Sequence, residues 1–174
     1  MQVLSVHHTF ARILVSTLVL LGAFSIVLIA EAAEVAVSPS TGSYGANQTF
    51  TVTIQANPQG KSINAVEAEL SFDKTKLSVV SVSKTGSAFS LWTTEPTFSN
   101  TAGTISFGGG SPSPFSTRSN LVSVTFRAVA EGSAAVTVTD ASVLAADGMG
   151  TDVYTAPVNG SYTVTAATAP TPTT

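Results

Sequence analysis

From residue 34 to residue 165 apolar and polar side chains alternate one for one, and clusters of Gly, Pro, Asn and Ser interrupt the alternation at short intervals. A period of two belongs to an extended strand that buries one face, because successive side chains leave the backbone in opposite directions. Over residues 48–56 the alternation places Phe50, Val52 and Ile54 on one side and Thr49, Thr51 and Thr53 on the other. Over residues 63–72 it sets Val66, Ala68, Leu70 and Phe72 against Ala65, Glu67, Glu69 and Ser71. Residues 121–129 repeat the pattern, with Val122, Val124, Phe126 and Ala128 against Ser123, Thr125 and Arg127. Further strands are expected at 34–37, 77–82, 96–99, 104–107, 134–144 and 161–165, and Gly108-Gly109-Gly110 is read as the point where pairing stops. Nine strands with short connections predict an all-β fold, a nine-stranded antiparallel β-sandwich of two packed sheets.

The two ends of the chain have a different character. His7, His8 and Arg12 precede an unbroken apolar run over residues 13–30, and Ala30-Glu31-Ala32 offers small residues at the positions a signal peptidase reads. Residues 1–32 are therefore expected to be a hydrophobic export helix, cleaved as a signal peptide or kept as an N-terminal anchor, since the run approaches the ~20 residues that span a bilayer. Either outcome places residues 33–166, the expected single domain, outside the cytoplasm, secreted or attached to the cell surface. Residues 167–174 alternate Pro with Thr and Ala, a composition that favours an extended linker or tail.

Composition narrows the chemistry. Seven Lys and Arg against ten Asp and Glu, with no basic cluster, leave phosphate-backbone binding nothing to rest on, so no nucleic-acid partner is expected. Cysteine is absent, which removes disulfides, thiolate metal sites and thiol nucleophiles together. Both histidines, His7 and His8, fall in the leader, so neither a Ser/His/Asp triad nor a His-based metal centre can form in the domain. No cofactor, no metal and no catalytic residue is assigned, and the chain is read as a binding protein rather than an enzyme.

Three groups of residues still invite a sharper reading. Glu67 and Glu69 share one strand face about 7 Å apart, inside the range a glycosidase needs between its two carboxyl groups. Nothing nearby signals a cleft or sugar-stacking rings, so a solvated or partner-facing strand is the better reading. Trp92, placed between two strands, could stack on a sugar as in a carbohydrate-binding module, but a platform needs further aligned rings and Tyr44, Tyr154 and Tyr162 are not visibly aligned with it; a Trp capping the end of the sandwich is favoured. Asp147-Gly148-Met149-Gly150 with Asp152 lacks the spacing of an EF-hand loop and is read as a turn, and Asp73 is expected to fix the turn between Phe72 and Leu77.

The order of these features resembles the cohesin module across residues 35–164. The carriers are Gly45 through Val52-Thr53-Ile54, Ala68-Glu69-Leu70-Ser71-Phe72-Asp73 followed by Leu77-Ser78-Val79-Val80, Gly103-Thr104-Ile105-Ser106-Phe107, the run from Leu121 to Ala128, and Gly132. The resemblance implies a jelly-roll topology and no catalytic site. It also implies a sheet face that docks a dockerin-like module of another protein, with calcium carried by that partner, in polysaccharide-associated bacterial assemblies. The family's polar positions on its third strand fall here on Ala65, where the usual polar side chain is missing, and on Glu67; Glu69, Ser99 and Ser106 complete the expected docking set. The competing functions are a carbohydrate-binding module around Trp92, with polysaccharide as the ligand, and a structural or adhesin spacer of a surface protein.

Overall fold

The computed structural model describes residues 33–167. The leader expected over residues 1–32 and all but the first residue of the expected tail lie outside the described residues.

Eleven strands form, in chain order β1 (Ala33–Ser38), β2 (Thr41–Gly45), β3 (Thr49–Asn57), β4 (Ile63–Phe72), β5 (Leu77–Ser83), β6 (Leu91–Ser99), β7 (Thr104–Phe115), β8 (Ser119–Ala128), β9 (Gly132–Ala145), β10 (Tyr154–Val158) and β11 (Gly160–Thr165). They make a five-stranded sheet, β10-β1-β3-β8-β5, and a six-stranded sheet, β2-β11-β9-β4-β7-β6. No helix occurs among the described residues. The alternation produces the sandwich directly: Phe50, Val52 and Ile54 of β3, Val122, Val124 and Phe126 of β8, and Val66, Ala68, Leu70 and Phe72 of β4 are all buried. Phe126 receives Phe50 at 5.8 Å and Phe72 edge-on at 5.4 Å between ring centres, which locks the two sheets together through an aromatic cluster.

The expected count of nine strands is corrected to eleven, because β2 and β10 carried no alternating signal. Each is the outermost strand of its sheet, and each pairs parallel with one neighbour, β2 with β11 and β10 with β1, so the sandwich is not purely antiparallel. A strand at a sheet edge need not bury every second side chain; all of β10 after Tyr154 is exposed, and β2 reads as a turn because it is Thr-Gly-Ser-Tyr-Gly. Its one large side chain, Tyr44, stacks on Phe50 with ring centres 3.8 Å apart.

A second correction concerns the three glycines. Gly108, Gly109 and Gly110 do not end pairing; β7 runs through them, opposite Glu67, Val66 and Ala65 of β4 and Thr94, Trp92 and Leu91 of β6. A Cβ on Gly109 would stand 2.7 Å from the carbonyl oxygen of Leu91 and from the Phe89 ring, and one on Gly110 would stand 2.7 Å from the carbonyl oxygen of Asn64. Glycine is used here for close backbone approach inside a sheet, the other meaning of a glycine in a strand. As a result β6 starts at Leu91 rather than Pro96, and Trp92 lies within it rather than between strands.

Candidate docking face

Pairing of β9, β4, β7 and β6 sets outward-facing residues in rows across the six-stranded sheet. The first row is Leu144, Ala65, Gly110 and Leu91; the second is Ser142, Glu67, Gly108 and Thr94. The third is Asp140, Glu69, Ser106 and Thr97, and the fourth Thr137, Ser71, Thr104 and Ser99. A groove of about 550 Å³ opens on the first two rows, lined by Ala65, Glu67, Leu91, Gly110, Pro112 and Leu144 among others. Its floor is low because Gly110 and Gly108 have no side chain. Its apolar wall on one side is Leu91, which is 59% exposed despite being a large aliphatic residue.

The residues expected from sequence are distributed over this face. Ala65 sits in the groove, and Glu67 and Glu69 point outward from β4 in adjacent rows. The stem of Glu67 lies over Gly108, its Cγ 3.4 Å from where a Cβ would stand. Ser106 is beside Glu69, and its hydroxyl is 3.0 Å from that of Thr97. Ser99 is at the far end, where its Oγ accepts a hydrogen bond from Ala102 N at 3.1 Å and so closes the β6–β7 turn. Among the described residues neither the Glu67 nor the Glu69 carboxylate accepts a hydrogen bond or meets a Lys or Arg.

Trp92 faces the other way, opposite Gly109. It is half-buried, its ring meets Phe89 edge-on at 5.4 Å, and Lys84 Nζ sits 5.2 Å from its centre while bonding Glu95 at 2.8 Å. Tyr162 is buried, and its hydroxyl donates to the Pro39 carbonyl at 2.7 Å.

The aspartates outside this face serve the backbone. Asp73 Oδ1 accepts from the Thr75 hydroxyl at 2.6 Å and from Thr75 N at 2.9 Å, and this hydroxyl bond in particular holds its carboxyl below the usual range. Asp147 accepts from Met149 N at 2.8 Å between Gly148 and Gly150, both at positive φ, and is also held low, chiefly by the Thr151 hydroxyl. Burial pushes Asp152 up, but bonds from Tyr154 N, the Ser142 side chain and Val143 N outweigh it and lower it.

Sequence reasoning missed Leu91, Asp140, Ser142 and Leu144. The signal for the last three was a change of parity: the buried positions of β9 run 134, 136, 138 and then 143. An odd step inside an alternating run marks an extra residue, and the register of β9 against β4 does shift between Glu69 and Leu70. That bulge turns Asp140, Ser142 and Leu144 outward.

Comparison with known proteins places this arrangement. Residues 34–164 match the family described as "Cohesin domain". Among solved structures, the seventh ScaB type I cohesin of Pseudobacteroides cellulosolvens is 22% identical, with TM-score 0.62, over 82% of this chain and 97% of that one. The Coh-OlpC–Doc435 complex of Clostridium thermocellum gives 12% identity and TM-score 0.64 over 76% and 93% of the two chains. A non-cellulosomal cohesin of the archaeon Archaeoglobus fulgidus gives 18% and 0.59 over 78% and 92%. No curated protein sequence matches the chain. With the family match covering the whole sandwich and the same fold recurring in these structures, the chain belongs to the cohesin family.

Proposed function

We propose that this chain is a non-catalytic module that docks a dockerin-bearing protein on the outward face of β9, β4, β7 and β6. The reading rests on membership of the cohesin family, and one observation carries it to this face. An aliphatic groove lies there beside the carboxylates of Glu67 and Glu69, which are unpaired among the described residues. The opposite face is closed on itself: Thr51 meets Thr125 at 3.0 Å, Thr53 meets Ser123 at 3.3 Å, and Gln55 bonds Asn120 at 2.9 Å. An exposed apolar patch with a polar rim is the usual form of a binding surface.

The contacts would be Ala65, Glu67, Glu69 and Ser106, with Ser99 at the margin, and the calcium would be the partner's. The leader in the sequence fits work outside the cytoplasm, and the cohesin resemblance is what suggests assemblies that act on polysaccharide. The test is capture of dockerin-bearing proteins by the full chain with calcium and with chelator. Calcium-dependent capture, lost in Glu67→Arg, is expected. Retention on insoluble polysaccharide with no protein captured would replace docking by carbohydrate binding.

A further inference from the structure

The rows of the docking face specify more than a place. The strands β4, β6, β7 and β9 contain Glu67, Glu69, Glu95 and Asp140 and not one Lys or Arg. Of these acids, Glu95 is paired with Lys84 at the sheet edge. Glu69 and Asp140 are direct cross-strand neighbours, an arrangement of like charges that is unfavourable until a cation joins it. Glu67 lies one row closer to the groove.

The groove has a direction. Leu144 on β9 and Leu91 on β6 stand in the same row with β4 and β7 between them. Three strand spacings separate them, about 14 Å, and a helix with its side chains is about 10–12 Å across. The valley between the two leucines therefore admits one helix lying along β4 and β7, over a floor lowered by Gly110 and Gly108. Successive rows are two residues apart, about 7 Å, which on a helix rising 1.5 Å per residue corresponds to about four or five positions.

We infer that this face selects a partner helix that carries an aliphatic residue over Ala65 and Gly110, a Lys or Arg four positions away to meet Glu67, and a second Lys or Arg eight positions away, its long stem spanning the remaining distance, to meet Glu69 and Asp140. The spacing holds for either chain direction of the helix. This inference rests on the docking reading and deepens it by giving the partner's chemistry. Steric fit places the helix, and the carboxylate rows set which helix is accepted.

The probe is a displayed library of a calcium-loaded dockerin scaffold whose helix surfaces are randomised, selected with the full chain and with its Glu69→Lys/Asp140→Lys variant. Both residues are exposed, so the variant is expected to fold, which circular dichroism verifies; Thr51→Lys/Thr125→Lys on the opposite face supplies a control for added positive charge. Selection with the parent is expected to enrich an aliphatic residue with Lys or Arg at the four and eight spacings. The variant is expected to enrich Asp or Glu at the distal position and to bind the parent's dockerins at least roughly 30-fold more weakly, while the control binds as the parent does. Binders recovered without cation enrichment, or the same binders from parent and variant, overturn the inference and leave docking intact. Recovery of no binder by the parent overturns the docking reading and the inference with it.

Discussion

Gly103 holds the turn between β6 and β7 at φ of 78°, with its N bonded to Ser99 O at 2.7 Å and its carbonyl accepting from Phe72 N at 2.8 Å. A Cβ there would stand 2.8 Å from the Phe72 carbonyl oxygen, so alanine would bring both left-handed strain and a backbone clash. Gly103→Ala is expected to lose about 1–3 kcal/mol, read as a drop of several degrees in Tm; an unchanged melt would mean that the turn relaxes freely. Asp73 makes a prediction in pH. Its carboxyl is held low in the folded chain, chiefly by the Thr75 hydroxyl, so its contribution is complete above the unfolded value near ~4 and is lost as pH falls through the folded one. Asp147 and Asp152 shift in the same direction. Urea titrations are expected to show stability declining on the acid side, with a shallower decline in Asp73→Asn; an identical acid limb in the variant would remove Asp73 from the account. Asp73 was legible because the Thr75 groups that it binds are two positions away in sequence. Trp92 was not, since its surroundings come from Phe89, Lys84 and the course of a strand whose start had been misplaced.

At the scale of elements, legibility followed burial. Strands with one face in the core, β3, β4 and β8 above all, announced themselves by alternation, and β4 gave Glu67 and Glu69 their outward direction before any coordinates. Elements whose signal lay elsewhere were lost: β2 and β10 at the edges, the glycine stretch of β7, and the second half of β9 beyond its bulge. For the same reason half of the candidate site was legible and half was not, since Ala65 and Glu67 lie on β4 whereas Leu91 and Leu144 depend on β7 staying paired and on β9 changing parity. The glycine stretch can be tested position by position. At Gly109 the obstruction to a Cβ includes a backbone carbonyl, at 2.7 Å; at Gly108 the nearest atoms are the Thr93 hydroxyl at 3.0 Å and the Glu67 stem at 3.4 Å, both side chains that can move. Gly109→Val is therefore expected to push β6 off β7 and to lower Tm by many degrees. Gly108→Ala is expected to stay within about 1 kcal/mol of the parent while raising the groove floor and weakening docking. Equal melts for the two variants would show that β6 adapts as a whole and that the glycines are not there for close approach.

For the whole sandwich the decisive feature is how the two ends of the described chain close it. The first segment crosses from one sheet to the other between β1 and β2, and the last does the same between β10 and β11. Each sheet then gains a parallel edge pair, β1 with β10 in one and β2 with β11 in the other. Residues more than 110 positions apart must meet for either pair to form, a wider separation than in the antiparallel pairs of the middle strands. β11 is the stronger partner in this closure. It bonds to both β9 and β2, buries Tyr162 and Val164, and sends the Tyr162 hydroxyl to Pro39 O in the link between β1 and β2. Two variants separate its roles. Tyr162→Phe keeps the ring against Phe50, 5.2 Å away between centres, and removes only the hydroxyl, which is expected to cost about 1 kcal/mol. Removing residues 160–174 strips the core of both side chains and leaves β9 and β2 with unpaired edges. The expected result by calorimetry is loss of the single cooperative transition that Tyr162→Phe retains, together with loss of docking, although no residue of the docking face has been touched. If the shortened chain instead melts in one sharp transition and still docks, the closure by β11 is dispensable to the docking face.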